Sequence, residues 1–393
     1  MVLINPCRHV IKMLCVGTTR RSSSPEHLIL VHARCSASGE ASGFRVPLLS
    51  EPVNFARFLT ERGQGSQITM STSIMLSGNG ELASQRIPEI STQAERKGFD
   101  GLWFGETTLR DASILATIAA ASTKKIPLGT SIVNVFTRTP SQLALMGATI
   151  NEFSGGRFTL GLGVSTAAIV DSWHGQSFEK PVRRLEETVK LLRQYFSGER
   201  FSHQGAYSFP KNARLRLQPP PKIALAALND YMIKKAAQLA DRIILNLYPP
   251  DRMKHAISII DATRERIGRK DRPTLSVMLY SIVVGDGEKG LDAAKDLVSF
   301  YASAPAYSAL FSNLGYATEA KAMMEGWKAK DRDAVRRVVT RQMIDKLIVL
   351  GTLNDLRERV KLYHEVGVDD VFICPSPFGD YEANVNQVLQ NYF

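Results

Sequence analysis

The stretch NEFSGGRFTLGLG, residues 151–163, contains the end of a helix, a turn and a strand. The amphipathic pattern of Ser141–Phe153 runs into it, and Gly155 suits the position just after a helix. Beyond the glycine pair, Phe158–Leu162 is a short apolar run of the kind that forms a buried parallel strand. A helix followed across a tight turn by a buried strand is the repeating unit of α/β proteins.

The same alternation continues in both directions along the chain. Apolar runs with strand character are Ile74–Leu76, Leu102–Phe104, Leu128–Val133, Phe158–Leu162, Ile223–Leu228, Ile243–Leu247, Leu275–Val284 and Val371–Cys374. Helix-length amphipathic stretches include Leu82–Lys97, Ser141–Phe153, Val182–Phe196, Met232–Ala240, Arg252–Ile267 and Asn354–Val366. Eight strands separated by helices predict an α/β protein with the (β/α)8 TIM-barrel fold. The alternative is an open doubly wound sheet, whose Gly-x-Gly-x-x-Gly motif is matched here only by Gly161 and Gly163.

Two segments interrupt the alternation. Residues 197–222 are rich in glycine and proline and too polar to be a barrel helix. Residues 287–345 add a largely helical insertion after the seventh strand. Because insertions at the carboxyl end of barrel strands usually cover the active site, we expect this one to form a roof. Sideways packing or an oligomer contact is the alternative.

The first 69 residues have neither helical nor strand periodicity, and the regular alternation begins only after Met70. We therefore predict an N-terminal extension at residues 1–69 that is not part of the fold, and a barrel at residues 70–393. The extension has three interpretations: an organelle-targeting leader, an accessory segment packed on the barrel, or a mis-assigned start with translation beginning at Met70. We favour the third.

Composition narrows the function classes. The net charge of +11 is spread along the chain without basic runs interleaved with aromatic residues, which argues against nucleic-acid binding. A solvated basic surface or a pocket for an anionic cofactor explains the charge equally well. No window approaches 18 apolar residues, so we expect no membrane span. Four cysteines without a C-x-x-C motif and seven scattered histidines predict a cytoplasmic protein without a metal site.

Several segments, taken in order, carry a family resemblance: Lys97–Glu106, Leu128–Asn134, Thr137–Pro140, Asn151–Arg157, Lys180–Arg184 and Glu365–Asp369. The chain resembles the luciferase-like monooxygenase superfamily, and within it the coenzyme F420-dependent 5,10-methylenetetrahydromethanopterin reductases. The resemblance extends from about Ser73 to Phe393. It implies a flavin-like ring at the carboxyl ends of the strands, supported by a bulge with a non-prolyl cis peptide in the third strand.

The resemblance also implies which residues form the site. Glu106 is expected to be catalytic, with Thr107 on the substrate side. His174, beside Trp173 after the fourth strand, is assigned to the substrate side by its position, with a structural or solvent-facing histidine as the alternative. The cofactor-binding residues are expected to be Ser131, Ile132, Val133, Asn134, Gly161, Gly163, Val164, Ser165, Ala226 and Ala227. By position alone, Glu106 is a site residue at a strand end or a loop acid that pairs with Arg110.

Three features depart from the reductase pattern. Thr166 stands where the reductases have an aspartate, the loop at residues 226–230 is poorer in glycine, and an acidic residue is missing from the first strand. These departures affect the expected substrate more than the expected fold.

The expected function is hydride transfer between reduced coenzyme F420 and a methylene-tetrahydropterin-type or related small molecule. Such a reaction requires a clamped ring and exclusion of water more than acid–base groups of the protein. Two alternatives remain open: an FMN-dependent monooxygenase of the same fold, and a non-catalytic barrel whose cofactor site has decayed. Homo-oligomer formation is expected in each case.

Overall fold

The chain divides into two units, Met1–Ser66 and Gln67–Phe393. The computed structural model describes residues 2–3, 12–13, 70–285 and 287–393. In the first unit, Val2–Leu3 pairs in antiparallel fashion with Lys12–Met13. Apart from these residues, the predicted extension at 1–69 lies outside the described residues, and its separation from the fold stays a prediction.

The second unit is a closed barrel of parallel strands. Its strands are β1 (Ser71–Leu76), β2 (Leu102–Phe104), β3 (Leu128–Thr130), β4 (Val133–Asn134), β5 (Phe158–Gly163), β6 (Lys222–Ala227), β7 (Arg242–Asn246), β8 (Thr274–Val283), β9 (Val349–Gly351) and β10 (Asp370–Pro375). Strand β10 pairs with both β8 and β1, which closes the barrel. Strand β4 continues the third barrel strand after a break, and β9 pairs only with the last residues of β8. The predicted eight-stranded TIM barrel is confirmed.

Helices follow the strands in the expected alternation. They are α1 (Ile87–Lys97), α2 (Ala112–Ser122), α3 (Pro140–Phe153), α4 (Pro181–Phe196), α5 (Asp230–Leu239), α6 (Pro250–Ile267), α7 (Leu291–Ala302), α8 (Pro305–Asn313), α9 (Ala317–Lys328), α10 (Arg332–Val338), α11 (Arg341–Leu347), α12 (Leu353–Glu365) and α13 (Tyr381–Asn391). Proline occupies the first turn of α3, α4 and α6, where its missing N–H has no helical partner. None of the described helices is long and apolar enough to cross a membrane.

Helices α7–α11 form the predicted insertion after the seventh barrel strand. Tyr307, on α8, accepts a hydrogen bond of 2.7 Å at its hydroxyl from the side-chain amide of Asn246, the last residue of β7. Tyr301, on α7, is hydrogen-bonded through its hydroxyl to that of Tyr280 on β8. The insertion therefore lies over the carboxyl ends of these strands, and the predicted roof is confirmed on this side of the barrel.

The excursion before β6 contains no helix between residues 198 and 221, as its polarity predicts. A bridge between Phe201 and Ala213 joins its two arms. The Glu187 carboxylate of α4 accepts hydrogen bonds of 2.9–3.0 Å from the backbone N–H groups of residues 206–208. This carboxylate fixes the tip of the excursion against α4.

A buried ion pair lies at the opposite end of the barrel from the roof. Arg242 begins β7 and donates a 2.7 Å hydrogen bond to Asp370, which begins β10 and is 3% exposed. The Ser73 hydroxyl donates to the same carboxylate, and the guanidinium of Arg242 lies 5.0 Å from the ring centre of Trp103. Burial raises the pKa of the Asp370 carboxyl, and Arg242 opposes that rise. The pair thus ties together strands that are distant in sequence.

Candidate active site

The third barrel strand is interrupted where the cofactor ring is predicted to rest. The peptide bond between Ser131 and Ile132 is cis, and it separates β3 from β4. The predicted non-prolyl cis peptide is therefore present. Beyond it, Asn134 pairs in register with Gly163 of the fourth barrel strand. The end of the third strand and the end of the fourth thus lie side by side at the mouth.

Gly163 lies at the centre of a small apolar seat. A Cβ atom built on Gly163 would lie 2.8 Å from the Ile132 side chain and 3.5 Å from Cβ of Ala226. Ile132 and Ala226 are only partly buried, as are Val164 and Ser165, which follow Gly163. We call Ile132, Gly163 and Ala226 the ring seat. Three of the predicted cofactor-binding residues are brought together there.

Other predicted cofactor-binding residues face inward. Gly161 needs to be glycine because a Cβ there would lie 1.7 Å from the backbone oxygen of Thr130. Val133 and Ala227 are buried, and the Asn134 side-chain oxygen accepts hydrogen bonds of 3.0 Å from the backbone N–H groups of residues 136 and 137. Packing and turn formation account for these side chains, and their contact with a cofactor stays a prediction.

Two residues at the mouth have left-handed backbone conformations without being glycine. Ser165, at the end of the fourth barrel strand, has φ 61°, and Leu247, directly after β7, has φ 50°. Such conformations are uncommon for residues with a side chain, and they occur preferentially at binding sites. Ser165 is a predicted cofactor-binding residue, whereas no sequence pattern singles out Leu247.

Glu106 is held by arginine at the end of β2. Its two carboxylate oxygens accept hydrogen bonds of 2.7 and 2.8 Å from Arg138, and one of them also accepts from the backbone N–H of Ala112. Arg138 also donates a 2.7 Å hydrogen bond to Asp111. Arg110, the alternative partner considered for Glu106, donates instead to the backbone oxygen of Gly80. Glu106 therefore joins the β2 loop to the loop that enters α3, and its catalytic role stays a prediction.

Asp111 should make this network sensitive to acid. Burial raises the pKa of the Asp111 carboxyl, but hydrogen bonds from Ser113 and the charge of Arg138 outweigh it, so the pKa lies below the ordinary 3.8. A lowered carboxyl pKa stabilises the fold above pH 3.8, and that stabilisation is lost as the pH falls through the folded-state pKa.

We expect Asp111→Asn, which retains a side-chain cap for α2, to be less stable than wild type at pH 7. The difference in free energy of unfolding between the variant and wild type should narrow as the pH is lowered from 5 toward 2. Urea unfolding of both proteins across this range measures it. A gap that is constant with pH would show that the Asp111 charge contributes nothing.

The structure describes other contacts for the two predicted substrate-side residues. The Thr107 hydroxyl donates a 2.7 Å hydrogen bond to the backbone oxygen of Gly78. His174 is exposed and lines a separate pocket of about 320 Å³, which none of the predicted cofactor-binding residues lines. Their substrate contacts stay predictions.

A hydroxyl cluster beneath the roof escapes prediction from sequence. It consists of Tyr280, Tyr301 and Tyr307, with the Asn246 amide donating to Tyr307. Burial raises the pKa of Tyr301 to about 12, so its hydroxyl keeps its proton at neutral pH. The Asn246 side-chain oxygen is buried and has no hydrogen-bond partner in the part of the chain that the structure describes. Within the described ranges, no group of three or more His, Cys, Asp or Glu side chains is arranged to hold a metal ion.

Comparison with known proteins gives the same fold and a family. A model of the luciferase-like monooxygenase family matches residues 55–370. The chain belongs to this family. Among luciferase-like relatives, the 5,10-methylenetetrahydromethanopterin reductase of Archaeoglobus fulgidus is 30% identical over 305 residues, which are 75% of this chain and 91% of that protein. The predicted superfamily and the predicted resemblance to the reductases are both confirmed.

Solved structures of luciferase-like proteins include both cofactor types. The coenzyme F420-dependent tetrahydromethanopterin reductase of Methanopyrus kandleri aligns with a TM-score of 0.70 and 22% identity, covering 82% of this chain and 98% of that one. A type II Baeyer-Villiger monooxygenase of Pseudomonas putida in complex with FMN aligns with a TM-score of 0.58 and 16% identity, at the same coverage of both chains. At these identities the likeness concerns the fold alone.

The departures from the reductase pattern have local structural roles. Asn229 caps α5 by accepting a 2.9 Å hydrogen bond from the backbone N–H of Met232. The Asp230 carboxylate lies 3.0 Å from Nε2 of His255. Thr166 accepts a hydrogen bond from the backbone N–H of Ile169 in the π-helical turn that follows β5.

Proposed function

We propose that the protein is a coenzyme F420-dependent oxidoreductase that transfers a hydride between the reduced cofactor and a methylene-tetrahydropterin-type or related small molecule. The observation that carries the proposal is the ring seat. Ile132, Gly163 and Ala226 come from three separate segments and converge beside the cis peptide at the mouth of the barrel. The similarity to the reductases, of which that of Methanopyrus kandleri is coenzyme F420-dependent, supports the choice of cofactor.

The ring seat has the properties that a planar tricyclic ring requires. Gly163 places bare backbone between Ile132 and Ala226, so a flat ring can approach closely where a side chain would intervene. Ile132 and Ala226 supply apolar surface. The bound deazaflavin would supply the hydride, whereas the chain's own residues bind, orient and exclude water.

Residues around the seat support these three tasks. Ser131 is fixed by two other strands. Its N–H donates a 2.7 Å hydrogen bond to the backbone oxygen of Phe104 on β2, and its hydroxyl lies 3.4 Å from the sulfur of Met278 on β8. Helices α7 and α8 cover the mouth and limit the access of water. Beneath the roof, the Tyr307 hydroxyl and the Asn246 oxygen are polar groups that we propose orient a substrate.

Glu106 positions loops rather than moving a proton in this proposal. Both of its oxygens accept hydrogen bonds from Arg138, so the carboxylate is held between the two loops. Hydride transfer places little demand on protein acid–base groups. A neutral tyrosine hydroxyl beneath the roof would suffice where the substrate requires a hydrogen-bond donor.

Cofactor titration tests the proposal. We expect the purified protein to bind coenzyme F420 with a dissociation constant in the micromolar range or below, and FMN at least tenfold more weakly. Changes in deazaflavin and flavin fluorescence measure both constants. Oxidation of reduced F420 by methylene-tetrahydropterins and other candidate acceptors then identifies the substrate.

An FMN-dependent monooxygenase is the second candidate, since the Pseudomonas putida monooxygenase with bound FMN shares the fold. Preferential binding of FMN, with NADH-driven oxygen uptake, would replace the leading proposal with this one. Failure to bind either cofactor would favour a decayed, non-catalytic barrel.

A further inference from the structure

Two polar side chains meet beneath the roof, where β7 ends under α8. Asn246 is 8% exposed, and its side-chain amide donates a 2.7 Å hydrogen bond to the Tyr307 hydroxyl. The oxygen of the same amide is buried, and no donor reaches it from the described part of the chain. A buried acceptor without a donor is unfavourable, so a ligand that donates to this oxygen relieves that cost. We call Asn246 and Tyr307 the amide–hydroxyl pair.

Met278 links this pair to the ring seat. Asn246 pairs in register with Met278 of β8, and register partners in parallel strands direct their side chains to the same face of the sheet. The Met278 sulfur lies 3.4 Å from the Ser131 hydroxyl, and the cis peptide joins Ser131 to Ile132 of the ring seat. Because β8 and β3 are not neighbours in the sheet, the contact crosses the interior of the barrel. Asn246 is therefore directed to the same interior as the seat, one strand away from the residue that reaches it.

The amide–hydroxyl pair offers a ligand one acceptor and one donor. The Tyr307 hydroxyl accepts from the amide, so its own hydrogen can donate, and burial raises the pKa of Tyr307 and keeps that hydrogen in place. The Asn246 oxygen and the Tyr307 hydroxyl are at most about 5 Å apart, since the amide nitrogen links them at 2.7 Å. The ring of Tyr301, whose hydroxyl is neutral as well, packs 4.6 Å from that of Tyr307. None of these groups is charged, which favours a neutral ligand over a carboxylate or phosphate.

We infer that the amide–hydroxyl pair binds the lactam edge of the substrate, with the Asn246 oxygen accepting from the ring N–H and Tyr307 donating to the adjacent C=O. The inference rests on the proposed function and assigns substrate specificity to these two residues. A lactam satisfies both members of the pair, whereas a ketone or a carboxylate has no hydrogen to donate to Asn246. Because the Asn246 oxygen is closed off from solvent, the ligand reaches it when α8 moves away from β7. The pair thus selects substrates by their hydrogen-bonding edge rather than by their charge.

Two pteridines that differ only in this edge test the inference. 6-Methylpterin has the adjacent N–H and C=O, whereas 2,4-diamino-6-methylpteridine has a ring-nitrogen acceptor and an amino donor in their place. We expect the F420-loaded wild type to bind 6-methylpterin at least tenfold more tightly than the diamino compound, as measured by titration calorimetry at pH 7. Asn246→Leu and Tyr307→Phe should each weaken the binding of 6-methylpterin by about tenfold and leave that of F420 unchanged.

Tyr316→Phe is the matched control, because it removes another hydroxyl of the insertion, one that donates to the backbone oxygen of Gln342. It should bind F420 and 6-methylpterin like wild type. Equal binding of the two pteridines by wild type, or unchanged 6-methylpterin binding by both variants, would overturn the inference and leave the proposed function standing. Weaker F420 binding with unchanged 6-methylpterin binding would also overturn it, since the pair would then bind the pyrimidine edge of the deazaflavin. Wild type that binds no F420 would overturn the proposed function, and the inference with it.

Discussion

Arg242→Ala should lower the free energy of unfolding by about 3–5 kcal/mol, the usual cost of removing one partner from a buried ion pair. Asp370 is 3% exposed, and without Arg242 its carboxylate would retain, among the described residues, only hydroxyl donation from Ser73. The change also removes the guanidinium packed on Trp103. Urea unfolding followed by circular dichroism at pH 7 measures the loss.

The loss should depend on pH in a defined direction. Burial already raises the pKa of Asp370 above its ordinary value, and removing Arg242 raises it further. A carboxyl whose pKa is raised in the folded state binds a proton more readily there than when unfolded, so acid stabilises the fold relative to neutral pH. The difference between Arg242→Ala and wild type should therefore be smaller at pH 5 than at pH 7.

Arg193→Ala is the control that measures the effect of removing an arginine from an ion pair that is not buried. Arg193 forms a more exposed ion pair of 2.8 Å with Asp241, and its removal should cost no more than about 1 kcal/mol. The double variant Arg242→Met, Asp370→Leu should be more stable than Arg242→Ala, since no charge is left buried. Equal stability of Arg242→Ala and Arg193→Ala would show that the buried pair does not tie the strands together.

The barrel itself follows from local pattern because its strands are short apolar runs and most of its helices bury one face in a regular period. The Phe158–Leu162 run lies within β5, and Ser141–Phe153 within α3. Helix α2 was not predicted, since ASILATIAAAS is apolar or small at nearly every position and has no polar face to reveal a helical period. Its one clear signal is Asp111, which caps it by accepting hydrogen bonds from the backbone N–H groups of Ser113 and Ile114.

The site was predictable only in part, because its side chains meet through tertiary contacts. The ring seat was predicted from family resemblance, and no local period distinguishes Ile132 from an ordinary strand residue. The pairing of Glu106 with Arg138 joins residues 32 positions apart in sequence. Tyr301 and Tyr307 lie in the insertion, where sequence pattern shows helices but not which side chains point toward the barrel. Arg184 lies in a segment that carries the family resemblance, yet only the fold shows that it packs against the rings of Phe136 and Tyr207.

Substituting alanine at Gly161 and at Gly163 should distinguish a glycine that the fold requires from a glycine that cofactor binding requires. At Gly161 the new Cβ would overlap the rigid backbone oxygen of Thr130, at 1.7 Å, so the third and fourth barrel strands must move apart. Overpacking of this kind costs about 1–3 kcal/mol or more. We expect Gly161→Ala to melt at a much lower temperature or to fail to fold.

At Gly163 the new Cβ would press on the Ile132 side chain at 2.8 Å, which can turn toward the mouth. The melting temperature should change little, but Ile132 should then occupy space that the ring requires, and F420 binding should weaken by about tenfold, or 1.4 kcal/mol. Adding Ile132→Ala should restore part of the affinity, a coupling that only residues in contact show. Unchanged F420 binding by Gly163→Ala would place the ring elsewhere, because a methyl group inserted between Ile132 and Gly163 must weaken the binding of a ring that lies against both.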